Sequence, residues 1–229
     1  MRESSSAEPP ARLPSGRHDL PRETVVSSQR ERLLRAMSAC CAERGYAATT
    51  VLGVVERAGV SSATFYQLFR DKEDCFLAAG QAILAKTMTV VSEAYAGKED
   101  ETEALRDGIA AILEFMAAHG DYARLTFIES RTSTPRAREL YLSGMRSLVS
   151  IMERGLRAGN GEAPASAARA ALGGAEAIVQ REIVAGRAET LPELLPELLY
   201  CALVPFLGRE EAERQAELAR EHAGQGEPA

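Results

Sequence analysis

The turn at residues 58–61, Ala-Gly-Val-Ser, constrains the fold of this chain more than any other short segment. It follows residues 51–58, whose apolar side chains recur at the i, i+3, i+4, i+7 spacing of an amphipathic helix. The glycine permits a tight turn, the valine can fill the angle between two helices, and the serine can cap the free N–H groups of a second helix. The segment therefore predicts two short helices that form a helix-turn-helix.

The second helix of this motif can sort its side chains onto two faces. Phe65, Leu68 and Phe69 can face inward, which leaves short polar side chains and a tyrosine outside. In a helix-turn-helix the second helix enters the DNA major groove, where hydroxyls can bind phosphates or bases and glutamine can pair with adenine. Tyrosine and lysine suit phosphate contacts. The candidate DNA-binding residues are Ser62, Thr64, Tyr66 and Gln67, with Ser61 at the start of the helix and Lys72 just beyond it.

The charge of the chain leaves this hypothesis open. A formal net charge of −6 argues against a nucleic-acid-binding protein. Residues 1–80, however, hold eleven Lys and Arg against ten Asp and Glu, whereas the remaining residues hold 16 against 23. This asymmetry favours a nucleic-acid-facing part joined to an acidic part, although the positive excess is small. A short amphipathic helix after Gly-Val-Ser is also common in helical proteins that do not bind DNA.

The rest of the chain predicts an all-α fold. Aromatic residues make up 5% of the chain and Trp is absent, while Ala and Leu dominate, a composition that favours helix. Hydrophobic residues reach 45%, enough for a sizeable core. Helical spacing and capping residues predict helices over about 27–44, 51–58, 62–69, 72–96, 102–118, 121–129, 135–158, 164–186, 191–208 and 209–222.

The composition of the two ends differs from that of the middle. Residues 1–21 contain four of the ten prolines, with Ser, Gly and Arg, and we expect a disordered arm. The arm could alternatively reach a DNA minor groove through Arg12 and Arg17. Residues 223–229 predict a disordered tail. Between these ends we expect a DNA-binding domain over 22–72 and a larger domain over 73–222.

Several protein classes are disfavoured by what the sequence lacks. No apolar run reaches the ~18 residues that a membrane span needs, and the N-terminus has no apolar stretch typical of a signal peptide. No nucleophile elbow, P-loop, GxGxxG or metal-ligand spacing is present. We therefore expect a cytoplasmic protein that is not an enzyme and has no metal, cofactor or membrane partner. The scattered histidines and cysteines are His18, His119, His222, Cys40, Cys41, Cys75 and Cys201.

Residues 30–76 resemble the DNA-binding domain of TetR-family transcriptional regulators. The resemblance is carried, without gaps, by Gly45-Tyr46, Thr49-Thr50-Val51, Ala58-Gly59-Val60-Ser61, Thr64-Phe65-Tyr66, Phe69 and Asp71-Lys72-Glu73. It implies an all-helical homodimer, each subunit with a three-helix DNA-binding domain and a larger domain for ligand binding and dimerisation. Carried over by position, Thr50, Tyr66 and Lys72 would contact phosphates. Ser62, Ala63, Thr64 and Gln67 lie where the family reads or abuts bases.

The sequence departs from the family pattern at three places. Leu68 stands where an aromatic residue or histidine is frequent, so that one DNA contact is missing. Val55 replaces a usual alanine and could change the angle between the two motif helices. Cys40-Cys41 stands where Leu-Phe is usual. These departures affect the expected DNA affinity and sequence preference rather than the fold.

Two C-terminal helices are expected to form the dimer interface. By resemblance, helices 164–186 and 192–206 would build a four-helix interface with a second copy. The second of these is apolar on almost every side, which requires cover on two sides, although a buried core helix would show the same pattern. The glycine pair 173–174 would allow close approach of a neighbour. The predicted interface residues are Leu194, Leu195, Leu198, Leu199, Leu203 and Phe206.

A ligand pocket is expected among helices 102–118, 121–129, 134–158 and 164–186. Methionines and aromatic residues there would accept an apolar or amphipathic small molecule, with Glu176 or Gln180 as polar anchors. The other predicted lining residues are Phe115, Met116, Phe127, Tyr141, Met145 and Met152.

These observations predict a ligand-responsive, sequence-specific regulator that binds a palindromic DNA operator as a homodimer. Repression, relieved by the ligand, is the family's usual behaviour. The alternative is a helical small-molecule-binding or interaction protein whose DNA-binding unit has weakened, which the small positive excess and Leu68 favour. The sequence does not identify the ligand, the operator or the target genes.

Overall fold

The computed structural model describes residues 21–157 and 166–224, and within them every regular element is a helix. The predicted all-α fold is confirmed. Residues 1–20 and 225–229, which include most of the predicted arm and tail, lie outside the described residues. Residues 158–165, which include the end of the predicted helix 135–158 and the start of the predicted helix 164–186, also lie outside them.

Three helices form the N-terminal unit. Helix α1 (Arg22–Ala48) begins earlier than predicted and continues beyond Gly45 through a kink. At the kink Gly45 adopts φ 79° and ψ 158°, a backbone conformation that residues with a side chain rarely take. Helices α2 (Val51–Ala58) and α3 (Ser62–Leu68) follow, joined by the turn at Gly59, which has φ 61°.

Side-chain caps fix the starts of the short helices. The Thr50 hydroxyl accepts the Gly53 N–H, the Ser61 hydroxyl accepts the Thr64 N–H, and the Asp71 carboxylate accepts the Asp74 N–H. Two threonines precede α2, and Thr50 is the one that caps it. Thr49 is buried instead, and its hydroxyl donates to the Gly45 carbonyl. Each cap satisfies an N–H group that the first helical turn leaves free.

Eight further α-helices follow within the described part of the chain. Helix α6 runs without a break into a π-helical turn (Leu125–Glu129) and the single-turn helix α7, and a 3₁₀ segment (Ala188–Leu194) leads into α10. The predicted helix 191–208 is therefore α10 plus this 3₁₀ entry. The bounds are α4 (Lys72–Tyr95), α5 (Glu101–Ala118), α6 (Gly120–Arg124), α7 (Ser130–Thr132), α8 (Pro135–Arg157), α9 (Ala167–Val184), α10 (Leu195–Leu207) and α11 (Arg209–Gly224).

Two hydrophobic cores hold these helices together. The first runs from the N-terminal unit into α4, α5 and the π-helical turn, so that the motif helices and the larger domain share one apolar interior. The second joins α5, α8, α9, α10 and α11. Helix α4 packs against both α1 and α5, so it connects the N-terminal unit to the rest of the described chain.

Two segments, Lys72–Tyr95 and Ala188–Leu207, are long and apolar enough to cross a membrane by length and composition alone. Their large apolar side chains, such as Phe76 and Leu199, are buried inside the chain. Core helices of folded domains pass the same test.

Candidate nucleic-acid interface and interior cavity

One face of α3 carries most of the predicted DNA-binding side chains. Ser62, Ala63, Tyr66 and Gln67 are exposed, and 60% of the Tyr66 surface is open to solvent. Thr64 is half-buried, and its hydroxyl lies 2.9 Å from that of Ser61, which also caps the helix. The structure thus brings the predicted residues of α3 together on one surface.

The opposite face of α3 is locked into the core. Phe65 is fully buried and Phe69 nearly so, with their ring centroids 5.6 Å apart. The Tyr66 ring meets the Phe65 ring edge-on at 5.3 Å, which fixes the base of the exposed tyrosine. The guanidinium of Arg30 lies over the Phe69 ring at 5.6 Å. Helix α3 is therefore a rigidly held platform with a polar outer face.

Two of the family departures are explained by this packing. Val55 is 3% exposed and belongs to the first core. Leu68 is half-buried and packs against the same core, so that its side chain contributes to the anchoring of α3.

Arg32 on α1 holds the turn of the motif. Its Nε donates to the Ala58 carbonyl at 2.8 Å, and its guanidinium also reaches the Gly59 carbonyl. These bonds satisfy carbonyl groups at the C-terminal end of α2. The positive charge of Arg32 also interacts favourably with the negative end of the helix dipole. Sequence reasoning missed Arg32, because no local pattern relates it to a turn 26 residues away.

Lys72, the first residue of α4, binds the C-terminal end of α1. Its Nζ donates to the carbonyls of Tyr46 and Thr49, both at 2.9 Å, and lies 4.2 Å from the centroid of the Tyr46 ring. Since an ammonium group has three donors, one remains for a phosphate. Thr50, the other predicted phosphate contact outside α3, is exposed at the start of α2.

Cations near the motif are largely paired. Arg57 binds Glu43 at 2.5 Å, and this bond lowers the pKa of Glu43. Arg70 donates its backbone N–H to Asp74, which lowers the pKa of that carboxyl. The arginine of such an exposed pair can leave its carboxylate and bind a phosphate at a small cost in free energy, because an exposed ion pair contributes little stability in water.

An apolar cavity of about 130 Å³ lies inside the larger domain, between α4, α5, α8, α9 and α10. Four predicted residues line it: Phe127, Met145, Met152 and Glu176. Residues that the sequence did not single out include Tyr95, Ile109, Ile112, Leu148 and Leu172. A smaller cavity of about 50 Å³ adjoins it and is lined by the predicted Met116 and Tyr141. Ile112, Phe127, Met145 and Leu148 are shared by both cavities.

Glu176 is the one charged group on the lining of the larger cavity, within the described residues. It forms an ion pair with Arg131, whose guanidinium also donates to the Gln180 side chain at 3.0 Å. Burial, followed by the nearby Glu176 carboxylate, raises the pKa of the Tyr141 hydroxyl, so that this group stays protonated.

Two predicted pocket residues are corrected by the structure. Phe115 lines neither cavity, because its ring packs with those of His119 and Tyr122 at 4.8 and 6.2 Å on the other side of α5. Gln180 also lies outside both linings, where it accepts the bond from Arg131.

Four of the predicted dimer residues on α10 are already buried within the single chain. Leu198, Leu199, Leu203 and Phe206 are at most 8% exposed within a single chain, where they pack in the cores of the subunit. The apolar character of α10 on all sides reflects packing against α5, α9 and α11. Leu194 and Leu195 remain partly exposed to solvent.

The three N-terminal helices, with the exposed polar face of α3, form a helix-turn-helix domain that is joined to a larger helical domain. Residues 33–79 match the profile described as bacterial regulatory proteins of the tetR family. This match covers the N-terminal domain, and it confirms the resemblance seen in residues 30–76 of the sequence.

Similar proteins are regulators of transcription. The HTH-type transcriptional repressor AcnR of Corynebacterium diphtheriae is 27% identical over 57% of this chain and 65% of its own. The HTH-type transcriptional activator FasR of Mycolicibacterium smegmatis is 30% identical over 51% of this chain and 52% of its own. The chain spans less than two thirds of the length of each of these curated relatives.

A solved structure shares the fold over most of the chain. The transcriptional regulator FadR of Bacillus subtilis, determined in complex with stearoyl-CoA, superposes with a TM-score of 0.65 at 22% identity, over 78% of this chain and 98% of FadR. At that identity the likeness concerns the fold.

Proposed function

We propose that this protein is a ligand-responsive, sequence-specific transcriptional repressor, which binds a palindromic operator as a homodimer in the cytoplasm. The observation that carries the proposal is the exposed polar face of α3 on a fully packed three-helix unit. A helix held in this way can enter the major groove without a change in its own shape.

Each side chain of the interface has a proposed role. Tyr66, Thr50 and the remaining donor of Lys72 bind phosphates and set the position of the protein on the duplex. Gln67, Ser62 and the neighbouring Ala63 and Thr64 lie against base edges, with Gln67 suited to adenine. Ser61 acts through its cap, which holds the start of α3.

The proposed dimer uses the outward face of α9. Gly173, Gly174 and Ala177 are exposed in succession, and a Cβ added at either glycine would meet no atom within 4 Å. Val184, further along the helix, leaves 63% of its surface in solvent. Small side chains let two helices approach closely, and this surface replaces the buried leucines of α10 in the proposal. Two subunits then present their α3 helices about 34–36 Å apart, one turn of DNA.

The proposed effector is a small apolar or amphipathic molecule that enters the interior cavity. An apolar lining with one charged group favours such a ligand over a sugar or nucleotide. The fold of FadR, solved with stearoyl-CoA, also accommodates a ligand with a long apolar chain. Ligand binding would release DNA if the ligand prefers a conformation in which the two α3 helices no longer match successive grooves.

Equilibrium binding to fragmented genomic DNA tests the DNA-binding role. We expect Tyr66→Phe to weaken binding by a similar factor on all sequences, because a phosphate contact carries no sequence information. Gln67→Ala should reduce the preference for one sequence over another. Gln81→Ala, which removes an exposed glutamine from α4, is the matched control and should change neither property. An equal effect of Gln67→Ala and Gln81→Ala would refute the role of α3.

The salt dependence of DNA binding distinguishes the proposed regulator from the alternative, a helical binding protein with a weakened DNA-binding unit. Each phosphate contact releases counterions, so the affinity of a DNA-binding dimer should fall steeply as salt rises. No binding at low salt, or a flat response, would favour the alternative.

A further inference from the structure

A buried carboxylate joins the larger domain to the end of α1. Glu129, 8% exposed, accepts the backbone N–H of Tyr46 through Oε2 at 2.8 Å. The two residues are 83 positions apart, so the bond is a tertiary contact and not part of a local turn. Breaking this bond has an energetic cost, because the buried N–H and carboxyl oxygen would both lose their partner.

The kink at Gly45 makes this N–H available. Gly45 interrupts the helical dihedral angles of α1, and the next N–H meets Glu129. A Cβ at Gly45 would lie 3.8 Å from both carboxylate oxygens, so the backbone passes close to them. Lys72 holds the carbonyl of the same residue, Tyr46, and the Tyr46 ring packs on Phe76 at 4.6 Å. The geometry of the α1 end, from which α2 and α3 follow, thus depends on Glu129 on one side and Lys72 on the other.

The other end of the connection lies in the cavity wall. Glu129 is the last residue of the π-helical turn Leu125–Glu129, and Phe127 in the same turn lines both cavities. A π-helical turn is an uncommon, wider turn that is often found at functional sites. One five-residue segment therefore contacts the cavity at Phe127 and the DNA-binding unit at Glu129.

We infer that Glu129 is a positioning residue that transmits occupation of the cavity to the DNA-binding unit. The inference rests on the proposed function. A molecule larger than the empty cavity displaces Phe127, the π-helical turn shifts, and the bond between Glu129 and the Tyr46 N–H breaks. The end of α1 then moves together with α2 and α3. Because the intact bond favours the DNA-binding arrangement, the ligand and DNA bind with opposing preferences.

A double-mutant cycle tests this inference without knowledge of the ligand. Ala175 lines the larger cavity, and Ala175→Phe places a ring in that space as a substitute for a bound molecule. In the wild-type background we expect this substitution to weaken DNA binding by about tenfold. In a Glu129→Leu background it should change DNA binding by less than about twofold. Glu129→Gln keeps an acceptor oxygen and should restore the coupling, a result that a purely structural role would not give.

Amide hydrogen exchange at Tyr46 provides a second readout. We expect Ala175→Phe to speed exchange of this N–H by about tenfold in a chain whose Glu129 is intact. Two results would overturn the inference. The first is that Ala175→Phe weakens DNA binding equally in the wild-type and in the Glu129→Leu background; the second is that Ala175→Phe leaves the exchange rate of the Tyr46 N–H unchanged. If Glu129→Leu does not fold, the exchange measurement on Ala175→Phe still decides it. A wild-type protein that binds no DNA would refute the proposed function instead, and exchange at Tyr46 would then still report whether the cavity is coupled to α1.

Discussion

The DNA-binding unit and the larger domain are built from the same kind of helix but differ in how their interiors are filled. In the N-terminal unit Phe65, Val54, Met37 and Leu33 are all fully buried. In the larger domain the side chains between α5, α8 and α9 surround a cavity of about 130 Å³ and a smaller neighbour. Close packing gives low compressibility, so the first region keeps its shape while the second can change.

This difference matches the two tasks that the proposed function assigns to the chain. Reading a DNA sequence requires α3 at a fixed angle, which the filled core and the caps at Thr50 and Ser61 provide. Responding to a small molecule requires space and movable walls, and long, unbranched side chains such as Met145 and Met152 provide them. Glu129 lies where the two regions meet.

Removal of a core aromatic side chain should show the difference most strongly. Phe65→Ala is expected to lower the free energy of unfolding by about 3–5 kcal/mol, because the site is fully packed. Phe127→Ala should cost less, since that ring already borders the cavity on one side. Urea denaturation of both variants measures the two losses. A larger loss for Phe127→Ala would contradict the contrast.

Enlarging a small side chain should have opposite effects in the two regions. Ala36→Leu adds bulk to the filled core of α1 and should destabilise by about 1–3 kcal/mol. Ala175→Leu extends into the cavity and should be neutral or stabilise by about 0.5–2 kcal/mol. Thermal unfolding compares the pair, and similar destabilisation by both would mean that the cavity cannot accept added volume.

Loss of a helix cap should have a smaller effect that is confined to the N-terminal unit. Ser61→Ala removes the acceptor for the Thr64 N–H and should cost about 1 kcal/mol. Ser166→Ala is the matched control before α9, where the serine makes no side-chain cap bond, and should cost less than about 0.5 kcal/mol. If the two serines prove equivalent in denaturant titrations, side-chain capping does not stabilise α3.

Thiol reactivity compares the buried core of the N-terminal unit with the exposed surface of α10 and requires no substitution. Burial raises the pKa of Cys41 to about 11 and that of Cys75 to about 12, so at pH 8 both thiols are protonated and unreactive. Cys40 is buried beside them, whereas Cys201 on α10 is exposed. A thiol reagent should label one cysteine rapidly in the folded protein and all four after unfolding. Rapid labelling of two or more in the native state would show that the filled core opens.

The sequence predicted the features that depend on neighbouring residues. The turn at 58–61 and the cap at Ser61 could be identified because the serine lies three residues before the N–H group that it satisfies. The exposed face of α3 followed from the positions of Phe65 and Phe69 within a single short helix.

Features that depend on distant residues were predicted in part or not at all. The bonds of Arg32 to the turn and of Glu129 to Tyr46 join segments that only the tertiary fold brings together. The leucines of α10 were assigned to a partner subunit because an apolar helix does not reveal whether its cover comes from its own chain. Phe115 was assigned to the pocket because helical spacing does not show which neighbour an aromatic side chain meets.

Selection of fragmented genomic DNA by the purified protein, at low and at moderate salt, tests the central claim most directly. The account predicts enrichment of an inverted repeat whose half-sites lie one helical turn apart, about 34–36 Å between centres. It also predicts that Gln67→Ala alters the enriched sequence, while Gln81→Ala does not. A folded protein that enriches no sequence at either salt concentration would contradict the assignment of α3 as a DNA-reading helix.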